Sequence, residues 1–305
     1  MQFKIQRIEL LNALNKVTRA VSSKSPLPVL TGIKFDISDS DLILTGSDSD
    51  ITIQTIIKEE DNILEIINPG SIVLSSKYIT EIIRKIDSEY VTFLTIEQSL
   101  TKITGDNSEF NLNGFNSIDY PQIDLSKSGE NFIINSIQLK NVIDQTIFAT
   151  SDRENRPTLT GLNLKSNPDR IECTATDSYR LAKKYISTEN NLEFNITIPK
   201  KSLSEISKII EKDEDINIYI NDRKILFVFD NVYIQTRLID GTFPDTSRLI
   251  PTSYDDILEA DSRELLSAID RASLFTTESA NIIKLSMSPT EVTISSSSQE
   301  IGSVE

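Results

Sequence analysis

The stretch CTATDSYRLAKK, Cys173 to Lys184, crowds Asp177, Arg180, Lys183 and Lys184 around Tyr179, just after the only cysteine of the chain. Such residues can do chemistry, with a carboxylate as general base and an amine or phenol as its partner. A small-substrate enzyme working with Asp177, Tyr179 and Lys183 is therefore one reading. A second stretch, GSDSD at 46–50, sets two carboxylates two residues apart. A calcium loop needs more oxygens and a closing glutamate, and the counterpart ATDSY at 175–179 keeps a single aspartate. No metal site is expected. Histidine is absent, which removes the Ser-His-Asp triad, imidazole bases and His-ligated metals. No two of the nine glycines lie closer than nine residues, so neither GxGxxG nor a Walker-type phosphate loop can be written. One cysteine excludes an intrachain disulfide and multi-cysteine zinc sites. The expectation is a chain with no cofactor whose charged stretch borders a binding surface.

Composition sets the frame for that surface. The 305 residues allow two or three domains, and 38% hydrophobic with 25% charged residues is ordinary for a soluble protein. No apolar run approaches the roughly 18 residues of a membrane helix. The opening MQFKIQRIELLNALNKV lacks the h-region and cleavage site of a signal peptide. The expected compartment is the cytoplasm. A net charge of −15 argues against a nucleic-acid partner unless the cations are gathered on one surface.

The elements that must position these residues come in copies. PVLTGIKF (28–35) matches PTLTGLNL (157–164) at an offset of 129 residues, which also carries TGSDSD (45–50) onto TATDSY (174–179). IVLSSKYITEIIRKI matches ITIPKKSLSEISKII at an offset of 124, setting Lys77, Glu81 and Arg84 against Lys201, Glu205 and Lys208. DYP (119–121) and TFP (242–244) close the two units, and SRELLSAIDRAS (262–273) resembles RIELLNALNKVT (7–18) in a third. Repeats this long are duplicated domains, since solenoid units run to about 20–50 residues. Boundaries are expected at 1–127, 128–252 and 253–305, the third copy holding only its N-terminal part. Truncation is the expected reason, because half a sheet leaves open edges.

Each copy reads as two helices and several short strands without βαβ alternation, an α+β class. The first helix sets Leu11, Leu14, Val17 and Val21 at helical spacing, with Glu9, Asn12, Lys16 and Arg19 opposite. The second, about 76–86, is expected to bury Tyr78, Ile79, Ile82, Ile83 and Ile86 and to expose Lys77, Arg84 and Lys85. The cations of the second copy, Lys140, Lys201 and Lys208, recur on the same outward faces. One shared basic surface is expected, with acidic groups elsewhere.

Four motifs together resemble one family. SPLPVLTGIKF (25–35), RPTLTG (156–161), TDSYRLA (176–182) and RLIDGTFPDTSRLIP (237–251) look like the bacterial DNA polymerase III beta subunits, the sliding clamps. The similarity runs from residue 1 to 305 and is closest to clamps of low-GC Gram-positive bacteria. It implies a tandem repeat of clamp domains, each with two helices packed on β-sheet. It further implies a head-to-tail homodimer, when full length, closed into a ring around duplex DNA, sequence-independent and non-catalytic, that tethers polymerase and clamp loader through short peptide motifs.

Site residues follow from the resemblance. A partner-peptide pocket would contain Leu159, Thr160, Thr176, Ser178, Tyr179, Arg180, Leu181, Pro244, Arg248 and Leu249. Its remaining wall, the family's C-terminal tail, would lie beyond Glu305. Position 179, often histidine in the family, is tyrosine here, which keeps an aromatic rim and removes a titratable group. Lys24, Lys77, Arg153, Lys200 and Lys201 would touch DNA phosphates. Phe110 and Leu112 would meet Leu274 and Phe275 of a second copy at the ring seam. A protein–protein scaffold that never meets DNA is the other alternative kept open.

Overall fold

The structure, a computed structural model, describes residues 1–96, 99–188, 192–276, 282–288, 291–298 and 301–305. The chain divides into two compact units, Met1–Pro244 and Asp245–Glu305.

The first unit holds the first two sequence repeats. The first runs β1 (Gln2–Gln6), α1 (Arg7–Val17), β2 (Gly32–Ile37), β3 (Asp41–Ser47), β4 (Ile51–Lys58), β5 (Leu64–Asn68), β6 (Gly70–Ser75), α2 (Ser76–Lys85), β7 (Tyr90–Ile96), β8 (Leu100–Thr104) and β9 (Glu109–Asn113). The second follows the same plan with β10 (Glu130–Asn135), α3 (Ser136–Thr146), β11 (Gly161–Asn167), β12 (Arg170–Thr176), β13 (Leu181–Ser187), β14 (Asn195–Pro199), α4 (Lys200–Ile209), β15 (Asp215–Ile220), β16 (Lys224–Phe229) and β17 (Val232–Arg237).

Local sequence explains the elements. Leu10, Ala13, Leu14 and Val17 recur every three or four residues and are all buried on one side of α1, while Leu11 packs partly buried at the edge of the core. Asn135 caps α3, its side-chain oxygen accepting from the N–H groups of Ile137 and Gln138 at 3.1 Å each. In α2 the buried residues include Ile79 and Ile83, whereas Tyr78 is 57% exposed. The expectation for Tyr78 fails because it sits one position, about 100° of rotation, ahead of the Ile79 stripe. Its ring instead lies beneath the Lys77 ammonium, 5.6 Å from the centroid.

Three sheets organise the unit. One has the order β5-β1-β7-β8-β9 and one the order β13-β12-β11-β14. Between them in sequence terms lies an eight-stranded sheet, β10-β15-β16-β17-β4-β3-β2-β6, in which the repeats share one surface. The join is antiparallel, from Val232 opposite Thr55 to Thr236 opposite Ile51. Its ends are tied by the Ile56 N–H to the Asn231 carbonyl and the Arg237 N–H to the Asp50 carbonyl, both 3.0 Å. Ile51, Ile53, Val232 and Ile234 are buried along it. The first repeat's core is closed by Phe93, stacked on Phe3 at 4.6 Å and tilted against Phe35 at 5.9 Å. Such pairs are worth about 0.5–1.5 kcal/mol beyond the area they bury.

The second unit is smaller. Helix α5 (Ser262–Ser273), capped by Asp261 through the Arg263 and Glu264 N–H groups, packs on a sheet ordered β18 (Lys284–Met287), β19 (Val292–Ser298) and β20 (Gly302–Val304). The buried Ser296 hydroxyl donates to the Ala272 carbonyl of α5. Pro289 and Thr290, inside the expected strand pattern, lie outside the described residues. Helices packed on antiparallel sheet throughout make the chain α+β.

Candidate functional site

Two turns share one hydrogen-bond plan. Between β12 and β13 the Asp177 carboxylate accepts from the N–H groups of Tyr179 at 2.9 Å and Arg180 at 3.0 Å. The Thr176 hydroxyl donates to the Arg180 carbonyl at 2.7 Å and accepts from the Ser178 N–H at 3.1 Å. Between β3 and β4, Asp48 accepts from Asp50 at 3.1 Å and Ile51 at 2.9 Å. There Ser47 donates to the Ile51 carbonyl and accepts from the Ser49 N–H, each at 3.2 Å. Ser178 and Ser49 adopt the left-handed region with φ of 80° and 82°, held there by these local bonds. The duplication thus extends to single atoms.

This plan works against catalysis. The backbone donors of Arg180 and Tyr179 hold the Asp177 carboxyl below the usual carboxylate range, so it is a weakened base. Lys183 is bound to Glu172 at 2.8 Å on the neighbouring strand, and Tyr179 is 90% exposed. Burial pushes the Cys173 thiol up to about 12, which removes it as a nucleophile. The three groups of the enzyme reading each have separate surroundings.

A binding wall fits the geometry better. Leu159 is buried in the Pro157–Thr160 turn, which is fixed by the Thr160 hydroxyl on the Pro157 carbonyl at 2.7 Å and the Ser151 N–H on the Leu159 carbonyl at 2.8 Å. Thr176, buried, stands opposite the half-buried Leu181 in the β12–β13 register. Arg156 reaches Ser178 at 3.3 Å, joining the loop before Leu159 to the turn. Arg180 pairs with Asp177 at 3.0 Å and lies 5.9 Å from the Phe148 ring centroid. Gly241 has φ +112°, and a Cβ there would stand 2.9 Å from Thr158 Cγ2. Glycine lets the segment leading to Pro244 pass this turn closely. Pro244 is exposed at the end of the first unit, and Arg248 and Leu249 are exposed within the second.

The cations divide into two groups. Lys200 binds Asp152 at 2.8 Å, and Lys201 binds Asp48 across the repeats. Arg19 of the first repeat and Lys208 of the second share Glu205 at 3.1 and 2.7 Å. Arg84 and Lys85 share Glu81, and Lys140 stands 4.0 Å from Asp144. Among the described residues, Lys16, Lys24, Lys77 and Arg153 have no carboxylate within ion-pair distance. The expected basic surface is therefore laced with its own counter-charges. The sequence reading missed Arg19–Glu205 and Lys201–Asp48, whose partners lie 186 and 153 residues apart. The recurrence of Glu81 at Glu205 was the available signal.

At an edge of its sheet, β9 pairs among the described residues only with β8. Phe110 and Leu112 pack partly buried on its core. In the second unit Leu274 is 72% exposed, and the Phe275 ring lies beside Gly302 of β20.

Family models of the DNA polymerase III beta subunit match the whole course of the chain: the N-terminal domain at 1–124, the central domain at 133–245 and the C-terminal domain at 247–305. The chain belongs to this family. Among its relatives, the beta sliding clamp of Bacillus subtilis (strain 168) is 42% identical over 312 residues, covering 100% of this chain and 82% of that protein. The crystal structure of the Bacillus subtilis DNA polymerase sliding clamp superimposes with a TM-score of 0.94 at 42% identity, over 100% of this chain and 82% of that one. The Streptococcus pneumoniae DNA polymerase III beta chain gives 0.93 at 33% identity, over 99% and 82%. The duplicated turns and helix pairs above are thus the beta-subunit repeat, and the chain is a non-catalytic member of that repeat family.

Proposed function

We propose that this chain works as a DNA sliding clamp, a processivity factor that encircles duplex DNA and tethers the replicative polymerase. Membership in the beta-subunit family carries this reading. The three domains would run 1–127, 128–252 and 253–305, and the work would take place in the cytoplasm. No helix among the described residues is long and apolar enough to cross a membrane. Loading the chain onto a nicked plasmid with its clamp loader tests the function directly. The protein should co-migrate with the circle through gel filtration and dissociate once the plasmid is linearised. Equal retention on both forms would refute encirclement.

Polymerase and clamp loader would be held through short peptides rich in glutamine, leucine and phenylalanine. The receiving wall would be Leu159, Thr160, Thr176, Ser178, Tyr179, Arg180, Leu181 and Pro244, with Arg248 and Leu249. An apolar pair, Leu159 and Leu181, between hydroxyl and guanidinium groups suits an extended peptide. Leu181→Ala should weaken such a peptide by about 1–3 kcal/mol, the worth of one aliphatic anchor. Fluorescence polarisation of a labelled peptide measures it, and an unchanged Kd would place the pocket elsewhere.

A further inference from the structure

We propose that the cleft between the first and second repeats is an additional peptide site, suited to an extended segment carrying one carboxylate side chain. The proposal rests on the reading that the second repeat's wall receives peptides, because the cleft is bounded by the first repeat's copy of that wall. Leu30 and Leu159 are buried in matching turns, whose Thr31 and Thr160 hydroxyls each donate to a proline carbonyl at 2.7 Å. Ser47 and Ser49 keep the hydrogen bonds of Thr176 and Ser178. Pro121 and Pro244 each follow a buried aromatic residue, Tyr120 and Phe243. In the first repeat Leu30, Ser47, Ser49 and Pro121 line an open cleft of about 710 Å³, bounded on its other side by Arg223, Lys224 and β17. That volume is within the range of pockets that take small ligands.

The chemistry of the cleft departs from that of its copy. Where the second repeat has Arg180 and Leu181, the first has Ile51 and Thr52, both buried and paired edge to edge with β17. The wall is more polar as a result, with Leu30, Pro121, Ile123 and Leu238 as its apolar part. Gln235, opposite Thr52, keeps a buried side-chain oxygen with no hydrogen-bond partner among the described residues. Enclosed as it is, that oxygen is out of a ligand's reach, and the contacts fall to the rim and the apolar shelf. On the rim, Lys224 is met by Asp124 at 2.9 Å and Arg237 stands 3.9 Å from Asp50. Arg223 has no carboxylate within ion-pair distance among the described residues. The cleft therefore offers a guanidinium to a carboxylate beside an aliphatic shelf. An extended peptide with an aliphatic residue and an acidic residue two positions apart presents both on one side, spaced about 7 Å. A nucleic-acid backbone would set a run of phosphates against Asp50, Asp124 and Asp240 on the same rim, whereas a single carboxylate has only to meet Arg223.

The probe is acetyl-Gly-Leu-Gly-Glu-Gly-amide, titrated against the full chain with methyl NMR of Leu30 and Leu238 as the readout. Saturable shifts at both methyls are expected, with affinity about tenfold lower in Arg223→Glu and unchanged in Leu181→Ala. Arg223 is exposed, so its variants keep the fold, and Arg223→Gln should fall between. Loss in Leu181→Ala alone, or no shift at Leu30 and Leu238 at millimolar probe, overturns the proposal. A glutamine-leucine-phenylalanine peptide titrated in parallel separates the two readings. Its failure with the first probe still bound at Leu30 sinks the second-repeat wall alone, and the converse sinks the cleft alone.

Discussion

Asp48 is the residue on which the two repeats lean. Burial raises its carboxyl, but the N–H donors of Ile51 and Asp50 and the Lys201 ammonium together outweigh burial and hold it below the ordinary value near 3.8. A carboxyl depressed in the folded state contributes stability that is fully present above its unfolded pKa and disappears as pH falls through the folded one. Asp48→Asn keeps the turn's acceptor and removes the charge, so it should cost about 1 kcal/mol or less at neutral pH. That difference should vanish between pH 4 and the acid limit in urea melts followed by circular dichroism. A constant difference down to acid pH would mean that the pair with Lys201 contributes nothing. In the sequence, Asp48 read as half of an unconvincing metal pair and Lys201 as a DNA contact. Spacing rules see neighbours along a helix or strand, and these two are joined only by the fold. Tyr78 was misread for a smaller reason: hydrophobicity marked it for the core, while helical phase puts it outside.

At the scale of elements, β9 is the first repeat's copy of β17, at the 124-residue offset. Phe110 and Leu112 then correspond to Ile234 and Thr236, which are both fully buried where β17 meets β4. On β9 the same positions are half covered because none of the described strands of the first unit pairs with that side. The copy of β4 in the third repeat is β20, so β9 of one subunit and β20 of another would form a heterologous join that can close a ring. Phe110→Ala with Leu112→Ala should shift a dimer to monomer at micromolar concentration in analytical ultracentrifugation, with thermal unfolding still cooperative. A backbone test is sharper. The Gly114 N–H points to β8, on the Ser99 carbonyl at 2.6 Å, so by alternation Asn111 points its N–H to the open side. Asn111→Pro should remove a seam donor while sparing β8. A dimer that survives it would place the seam elsewhere. Helices and strands were legible here because two copies of each pattern reinforced one another. Which strands would pair across copies was not, since β17 and β4 carry the same alternation as their unpaired counterparts.

For the molecule as a whole, the pairing of charges decides how DNA is held. Most helix cations are already matched by carboxylates, which leaves Lys24, Lys77 and Arg153 among the proposed DNA-touching residues free to meet phosphate. Retention on DNA should accordingly depend little on salt once a ring is closed, and residual binding should have a shallow slope. Charge reversal at Lys24 and Arg153 should lower that slope by about 0.9 for each phosphate no longer neutralised, without changing stability. Lys201→Glu should lower stability as well, because it sets two carboxylates together at Asp48. Filter binding across a salt series, paired with thermal melts, distinguishes the two classes of lysine. The net charge alone pointed away from DNA; the repeats pointed towards a clamp, and the ion pairs reconcile the two. Their existence could not be read from composition, which counts charges without placing them.

The join between β17 and β4 has a mechanical side. Eight strands spaced about 4.8 Å apart make a plate about 34 Å across, and bending it means shearing a ladder of backbone hydrogen bonds all at once. The peptide that links the repeats also keeps the two strands at high local concentration, so a broken ladder re-forms before it can separate. A seam between subunits built on the same ladder has no such tether. Under torque from a loading machine the plate would flex as a stiff leaf spring while the untethered ladder gives way, and single-molecule pulling across each join should register two well-separated rupture forces.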